Sequence, residues 1–213
     1  MSKAQLRDSH VVLILVALFL VALITFIMNQ GNEQTLVVAG DIFYVFYAAI
    51  AGIAGIVTVK KYGHKTPLTK TLLLVTIMVC LDAIAGTIWA IYEVGLGVLN
   101  PFPSPADAVW FLFYVAGISG LGYAVKRVWN LLRWKHVLVV FVGWLVLLVV
   151  TYLYSLKQIF ADPTYSLLLK ALSVQYPVGD LFLLLLAAIV FTTLRRGVYG
   201  PSWLAFIIGY FVY

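Results

Sequence analysis

Long apolar segments alternate with short polar segments along the whole chain. A helix needs about 20 apolar residues to cross the hydrocarbon core of a bilayer. Six segments approach or exceed this length, and a seventh begins at Trp203 and runs to the last residue. The six cover residues 11–28, 38–59, 71–97, 106–125, 137–156 and 173–194. The pattern predicts an all-α fold: a polytopic transmembrane bundle of about seven helices, forming a single domain over 1–213.

Composition supports a lipid environment for this bundle. The chain is 64% hydrophobic and 10% charged, whereas soluble domains are about 45–50% apolar and about 25% charged. The seventh segment has only eleven residues. At about 1.5 Å per residue it is too short to cross about 30 Å of hydrocarbon. We therefore expect the chain to be truncated within its last helix.

Basic residues are distributed unequally between the two sides of the predicted bundle. Twelve of the fourteen Lys and Arg residues lie at the N-terminus or after the second, fourth and sixth segments, and only Lys157 and Lys170 lie on the other side. The positive-inside rule then predicts a cytoplasmic N-terminus and a multi-pass protein of the plasma membrane. Because basic residues at these positions anchor helices at lipid headgroups, the net charge of +6 calls for no nucleic-acid partner.

A short internal repeat opens the second, fourth and sixth segments. Each begins with a small residue followed by Asp, namely Gly40-Asp41, Ala106-Asp107 and Gly179-Asp180. This spacing predicts a bundle built from repeated helical hairpins. Small residues four apart, such as Ala48 and Gly52, favour close helix packing and leave open a homodimer through the same faces.

Acidic residues inside or beside the apolar segments are the main candidates for a functional site. Such groups are costly in lipid and usually face a bundle interior or a cavity. Asp82 is predicted near the midplane, with Glu93 three turns further along nearly the same helix face. An outward-opening pocket for a small cationic or hydrogen-bonding ligand, or for protons, is expected. Its candidate ligand-binding residues are Asp41, Asp82, Trp89, Tyr92, Glu93, Ser104, Asp107, Trp110, Tyr176 and Asp180.

Simpler roles are open for several of these residues. Ser104 and Asp107 flank a helix start in a pattern close to a capping box. The helix dipole and interfacial water would stabilise Asp41 and Asp180 without any ligand. Asp82 could hold helices together rather than contact a substrate.

Several kinds of chemistry find no matching residues. The histidines His10, His64 and His136 lie outside the predicted spans, and every lysine flanks a span. Neither an axial haem ligand nor a retinal Schiff base is therefore predicted. The single cysteine, Cys80, fits no metal spacing. We expect no metal, no cofactor and no enzymatic activity.

Two motifs carry a resemblance to a known family. They are Pro103-Ser104-Pro105-Ala106-Asp107 and Tyr176-Pro177-Val178-Gly179-Asp180. With them, residues 38–194 resemble the membrane-embedded sensory domain found N-terminal to GGDEF-type diguanylate cyclases, EAL-type phosphodiesterases and some histidine kinases. One departure is Tyr114-Val115, where that family often has Tyr-Pro. The resemblance implies a sensory input module whose cytoplasmic output domain lies outside this chain.

Three functions follow from these features. The leading prediction is the sensory input module, which binds a small ligand or senses the membrane. An ion-coupled or proton-coupled transporter or channel is the second, because repeated hairpins and a midplane acid also occur in transporters. A structural subunit of a larger membrane complex is the third.

Overall fold

The computed structural model describes residues 17–62, 69–194 and 204. The fold is all-α, and five of the described helices are long and apolar enough to cross a membrane. The predicted first span contains helix α1, Ala17–Met28. The predicted seventh span lies outside the described residues apart from Leu204, so the expected total of about seven helices stays a prediction.

The other spans lie near their predicted positions, and each of these helices begins earlier than predicted. Helices α3 and α5 each continue into a π-helical turn, at Ile91–Gly95 and Tyr152–Leu156. A 3₁₀ turn follows α4 at Trp129–Leu131. The helices are α2 Glu33–Tyr62, α3 Thr69–Ala90, α4 Pro105–Val128, α5 Trp134–Thr151, α6 Lys157–Ala161 and α7 Leu167–Leu194.

Helix α4 begins at a complete capping box. Ser104 Oγ accepts a hydrogen bond from Ala106 N at 3.2 Å, and Asp107 Oδ2 accepts one from Ser104 N at 2.5 Å. Pro105 occupies the first turn of the helix, where a backbone N–H would find no acceptor within the helix. Its missing N–H therefore costs no helical hydrogen bond. The capping role predicted for Ser104 and Asp107 is confirmed.

The long helices pack in the order α2, α3, α4, α7, α5. Helix α7 therefore lies between α4 and α5, although α5 follows α4 in the chain. The core forms where α3, α4 and α7 meet, around Met78, Leu121 and Leu183. A Cβ added at Gly117 would meet Met78 Sδ at 2.5 Å and Leu183 Cδ2 at 2.8 Å, so this glycine permits the close approach of three helices.

Neighbouring helices also approach closely between α2 and α3. A Cβ at Gly52 would meet Cys80 Sγ at 3.3 Å, and one at Gly55 would meet Thr76 Oγ1 at 2.9 Å. These small residues thus serve packing within the chain. A homodimer through such faces stays a prediction.

The outer surface and the helix ends fit a bilayer. Many large apolar side chains are exposed, and none of α5 is fully buried, which is compatible with lipid contact. Lys70, at the start of α3, and Arg127, at the end of α4, both lie against the ring of Tyr123. We call this side the basic end, and the opposite side, which carries Glu93 and Asp107, the acidic end. That the basic end faces the cytoplasm stays a prediction.

Candidate functional site

Asp82 joins three helices. Its Oδ1 atom accepts hydrogen bonds from Tyr44 Oη of α2 at 2.6 Å and from Trp110 Nε1 of α4 at 3.1 Å. The ring of Tyr44 lies directly against Gly86, one turn beyond Asp82 on α3, where a Cβ would clash with it. The Asp82 carboxyl group lies within a membrane span, and it accepts hydrogen bonds from neutral donors on both flanking helices.

Helices α4 and α7 exchange two tyrosine–aspartate hydrogen bonds in opposite directions. Tyr114 of α4 donates to Asp180 Oδ1 of α7 at 2.8 Å, and Tyr176 of α7 donates to Asp107 Oδ1 of α4. Asp107 is 1% exposed and Tyr114 is 7% exposed. Gln175 Nε2 adds a longer bond of 3.4 Å to the Asp107 carbonyl oxygen. Because each helix supplies one donor and one acceptor, the crossed pairs fix the two helices in one register.

Glu93 connects α3 to the loop that follows it. Its Oε2 atom accepts a hydrogen bond from Trp89 Nε1 at 2.7 Å, and Oε1 accepts one from Asn100 N at 3.1 Å. Asn100 has a positive φ of 49°, a conformation that asparagine tolerates better than most residues. Glu93 thus holds the loop back over the acidic end of α3.

Aromatic rings link these acids into one cluster. The ring centroids of Trp89 and Trp110 lie 5.6 Å apart, those of Trp110 and Tyr176 6.0 Å, and those of Tyr114 and Tyr176 6.3 Å. These distances fall in the range of favourable ring packing. We call the linked set the acid–aromatic cluster; it comprises Tyr44, Asp82, Trp89, Glu93, Asp107, Trp110, Tyr114, Tyr176 and Asp180.

Asp41 lies at the edge of this cluster, on α2. Its carboxyl group is close enough to that of Glu93 for the two to interact. Its Oδ2 atom is buried without a hydrogen-bond partner among the described residues. Asp41 also lines an apolar groove of about 520 Å³ between α2 and the end of α3. One carboxyl oxygen of Asp41 is thus buried at the edge of the cluster without a described hydrogen bond.

The structure brings together most of the residues predicted for the site. Seven belong to the acid–aromatic cluster, Ser104 contacts the cluster through Asp107, and Asp41 contacts it through Glu93. Tyr92 differs: its carbonyl oxygen accepts a bond from Val98 N, and its side chain makes no hydrogen bond or ring pair with the cluster within the described residues. The seven predicted residues that belong to the acid–aromatic cluster are Asp82, Trp89, Glu93, Asp107, Trp110, Tyr176 and Asp180.

Three contributors were not predicted from the sequence: Tyr44, Tyr114 and Gln175. Tyr44 follows Asp41 by three positions, as Trp110 follows Asp107, so the internal repeat contained a signal for Tyr44. Tyr114 and Gln175 have no comparable signal. The aromatic residues of the cluster donate hydrogen bonds directly to the acids.

Across residues 17–62 and 69–194, no group of three or more His, Cys, Asp and Glu side chains could hold a metal ion.

Comparisons with protein-family models, with curated proteins and with solved structures found no match for this chain. The resemblance to membrane-embedded sensory domains therefore stays a prediction, and the site must be interpreted from its own chemistry.

Proposed function

We propose that this chain is a membrane-embedded input module that binds a small ligand at its acidic end and signals to a cytoplasmic output domain. The observation that carries the proposal is the acid–aromatic cluster, which connects α2, α3, α4 and α7 through hydrogen bonds between side chains. A ligand that alters these bonds would act on four helices at once.

The chemistry of the cluster suggests what such a ligand carries. Its acids are hydrogen-bond acceptors, and its indole and phenol rings offer faces that attract cations. A small molecule with an ammonium group or several donors would compete with Tyr114 or Tyr176 for the aspartates. The Asp41 carboxyl would supply a further acceptor beside Glu93.

Transmission would depend on the crossed pairs between α4 and α7. If a ligand displaces the tyrosine hydroxyl from Asp180 or Asp107, the register of these two parallel helices is no longer fixed at the acidic end. Both helices continue to the other side of the bundle, where an output domain would sense the shift. The ligand can bias this equilibrium only by binding the two arrangements with different affinities.

One observation favours a second function, a proton-coupled or ion-coupled transporter. Asp82 lies within a span and accepts bonds from both neighbouring helices. A membrane-embedded acid of this kind is also a common element of proton relays. Solute or proton flux into vesicles that contain the purified chain, abolished by Asp82→Asn, would establish this alternative instead.

The direct test of the input module is thermal stability in detergent across a panel of amines, amino acids and pH values. Three proteins are compared: the wild type, the double variant Asp107→Asn with Asp180→Asn, and the control Asp162→Asn. Asp162 is an acid of the loop before α7, and its side chain accepts hydrogen bonds only from Thr164 among the described contacts. A ligand at 100 times its Kd stabilises a protein by about 2.7 kcal/mol.

We expect at least one compound to raise the Tm of the wild type and of the control, but not that of the double variant. If no compound or pH shifts any Tm and the double variant is only less stable, the acids have a structural role alone and the proposal fails.

A further inference from the structure

The seam between α5 and α7 contains a second apolar groove, which opens at the basic end and is lined by residues outside the acid–aromatic cluster. Its volume is about 580 Å³, within the range of about 300–1,000 Å³ found for small-molecule sites. Side chains from the first two turns of α5 line one wall, and Leu185 and Ile189 of α7 line the other.

The groove has one charged group and one amphipathic ring at its mouth. Lys135 and Trp134 both line it, at the start of α5. Trp134 also packs edge-to-face on Trp129, with ring centroids 5.3 Å apart. Tryptophan is enriched at the level of lipid headgroups, so the mouth lies where headgroups are expected. Below it, Leu138 and Phe141 continue the wall along one helix face towards the membrane interior.

Among the described residues, the mouth of this groove carries positive charge and no carboxylate lines it. Arg133 immediately precedes α5, and α5 contains no acidic residue. The acid of α7, Asp180, accepts a hydrogen bond from Tyr114 towards the opposite end. Within the described ranges, the remaining acids lie towards the acidic end or, for Asp82, within a span. A negatively charged group would therefore complement the mouth of the groove.

We propose that this groove binds a phospholipid with an anionic headgroup, whose phosphate contacts Lys135 and whose acyl chain lies along Leu138 and Phe141. Basic pockets between transmembrane helices attract anionic headgroups, and each lysine near the surface contributes about a fivefold gain in affinity. This site is independent of the input function proposed above, since none of its lining residues belongs to the acid–aromatic cluster and its mouth lies at the opposite end of the bundle.

The test is native mass spectrometry of the full chain in detergent, titrated with phosphatidylglycerol or with phosphatidylcholine of the same acyl chains. Lys135→Gln is compared with Lys157→Gln, which removes the same charge from an exposed position at the other end. A third variant, Leu138→Trp, keeps the charge and fills the groove.

We expect the wild type to prefer phosphatidylglycerol. Lys135→Gln should weaken its binding about fivefold, Lys157→Gln should leave it unchanged, and Leu138→Trp should also weaken it. Equal binding of the two lipids overturns the proposal. Equal effects of the two lysine substitutions overturn it as well. If Leu138→Trp binds like the wild type, the attraction is only to surface charge or the groove holds another part of the chain, and the proposal is again wrong.

Discussion

The hydrogen bond between Tyr114 and Asp180 gives a direct test of how α4 and α7 are held together. Replacing Tyr114 by Phe removes only the hydroxyl group, because the ring still packs against Gly179. Replacing Asp180 by Leu removes both acceptor oxygens and keeps a branched side chain of similar shape. Neither change creates a cavity, so a double-mutant cycle between them reports the pair itself.

The expected size follows from the geometry of the pair. The bond is 2.8 Å long, and Tyr114 is only 7% exposed. Hydrogen bonds to charged groups contribute about 1.5–3 kcal/mol in soluble proteins. Bonds between membrane helices average about 0.6 kcal/mol and reach about 1.7 kcal/mol, because the unfolded chain in a membrane also finds partners. We expect a coupling free energy of about 1–1.5 kcal/mol for this pair.

The assay is reversible unfolding of the purified chain in mixed micelles by increasing SDS, followed by circular dichroism. The control is Tyr154→Phe, which removes the same hydroxyl from a side chain that is 75% exposed on the π-helical turn after α5. We expect this control to change the free energy of unfolding by less than about 0.5 kcal/mol. If the effects of Tyr114→Phe and Asp180→Leu add to within about 0.3 kcal/mol, the bond does not hold the helices and the reasoning is wrong.

Two further predictions concern helix packing and orientation. Gly86→Ala should destabilise the bundle by about 1–3 kcal/mol in the same unfolding assay, since the new methyl group would overlap the ring of Tyr44. Gly143→Ala, where a Cβ meets open space, should be neutral or slightly stabilising; equal losses at both positions would show that the ring contact is not responsible. In a chain without its native cysteine, we expect an impermeant thiol reagent added outside intact cells to label Asp162→Cys but not Asn130→Cys. The reverse pattern would show that the basic end faces outwards.

The spans were predictable from sequence because the physical requirement is simple and local. A helix in hydrocarbon must be apolar over its whole length, and hydropathy reports that directly. The boundaries are less well predicted: α2 begins at Glu33 rather than 38, and α7 at Leu167 rather than 173. Hydropathy locates the hydrocarbon, whereas a helix ends where its backbone hydrogen bonds end, which here lies further into the interface.

The acids of the site could be found from sequence, but their partners could not. An Asp or Glu beside an apolar segment stands out, whereas a tyrosine is ordinary there: the chain has 13. Tyr114 becomes a partner of Asp180 only because α7 lies between α4 and α5. Hydropathy contains no information on helix order, so nothing in the sequence paired these two side chains.

The internal repeat explains why the donors lie where they do. Tyr44 and Trp110 occupy the same position of the repeat, three residues after Asp41 and Asp107, and both donate to Asp82. They approach α3 from its two sides, because α2 and α4 are its neighbours in the packing order.

The same position of the third repeat is Leu183, three residues after Asp180, and it is fully buried in the core. The neighbours of α7 explain this difference. Helix α5 carries no acid that a donor could satisfy, and the acid of α4 is already bonded to Tyr176. A buried donor without an acceptor would cost about 1–3 kcal/mol, so an apolar side chain is favoured at this position. The repeated hairpins thus share a backbone arrangement, while the side chain at each equivalent position follows the acceptors that its neighbouring helices provide.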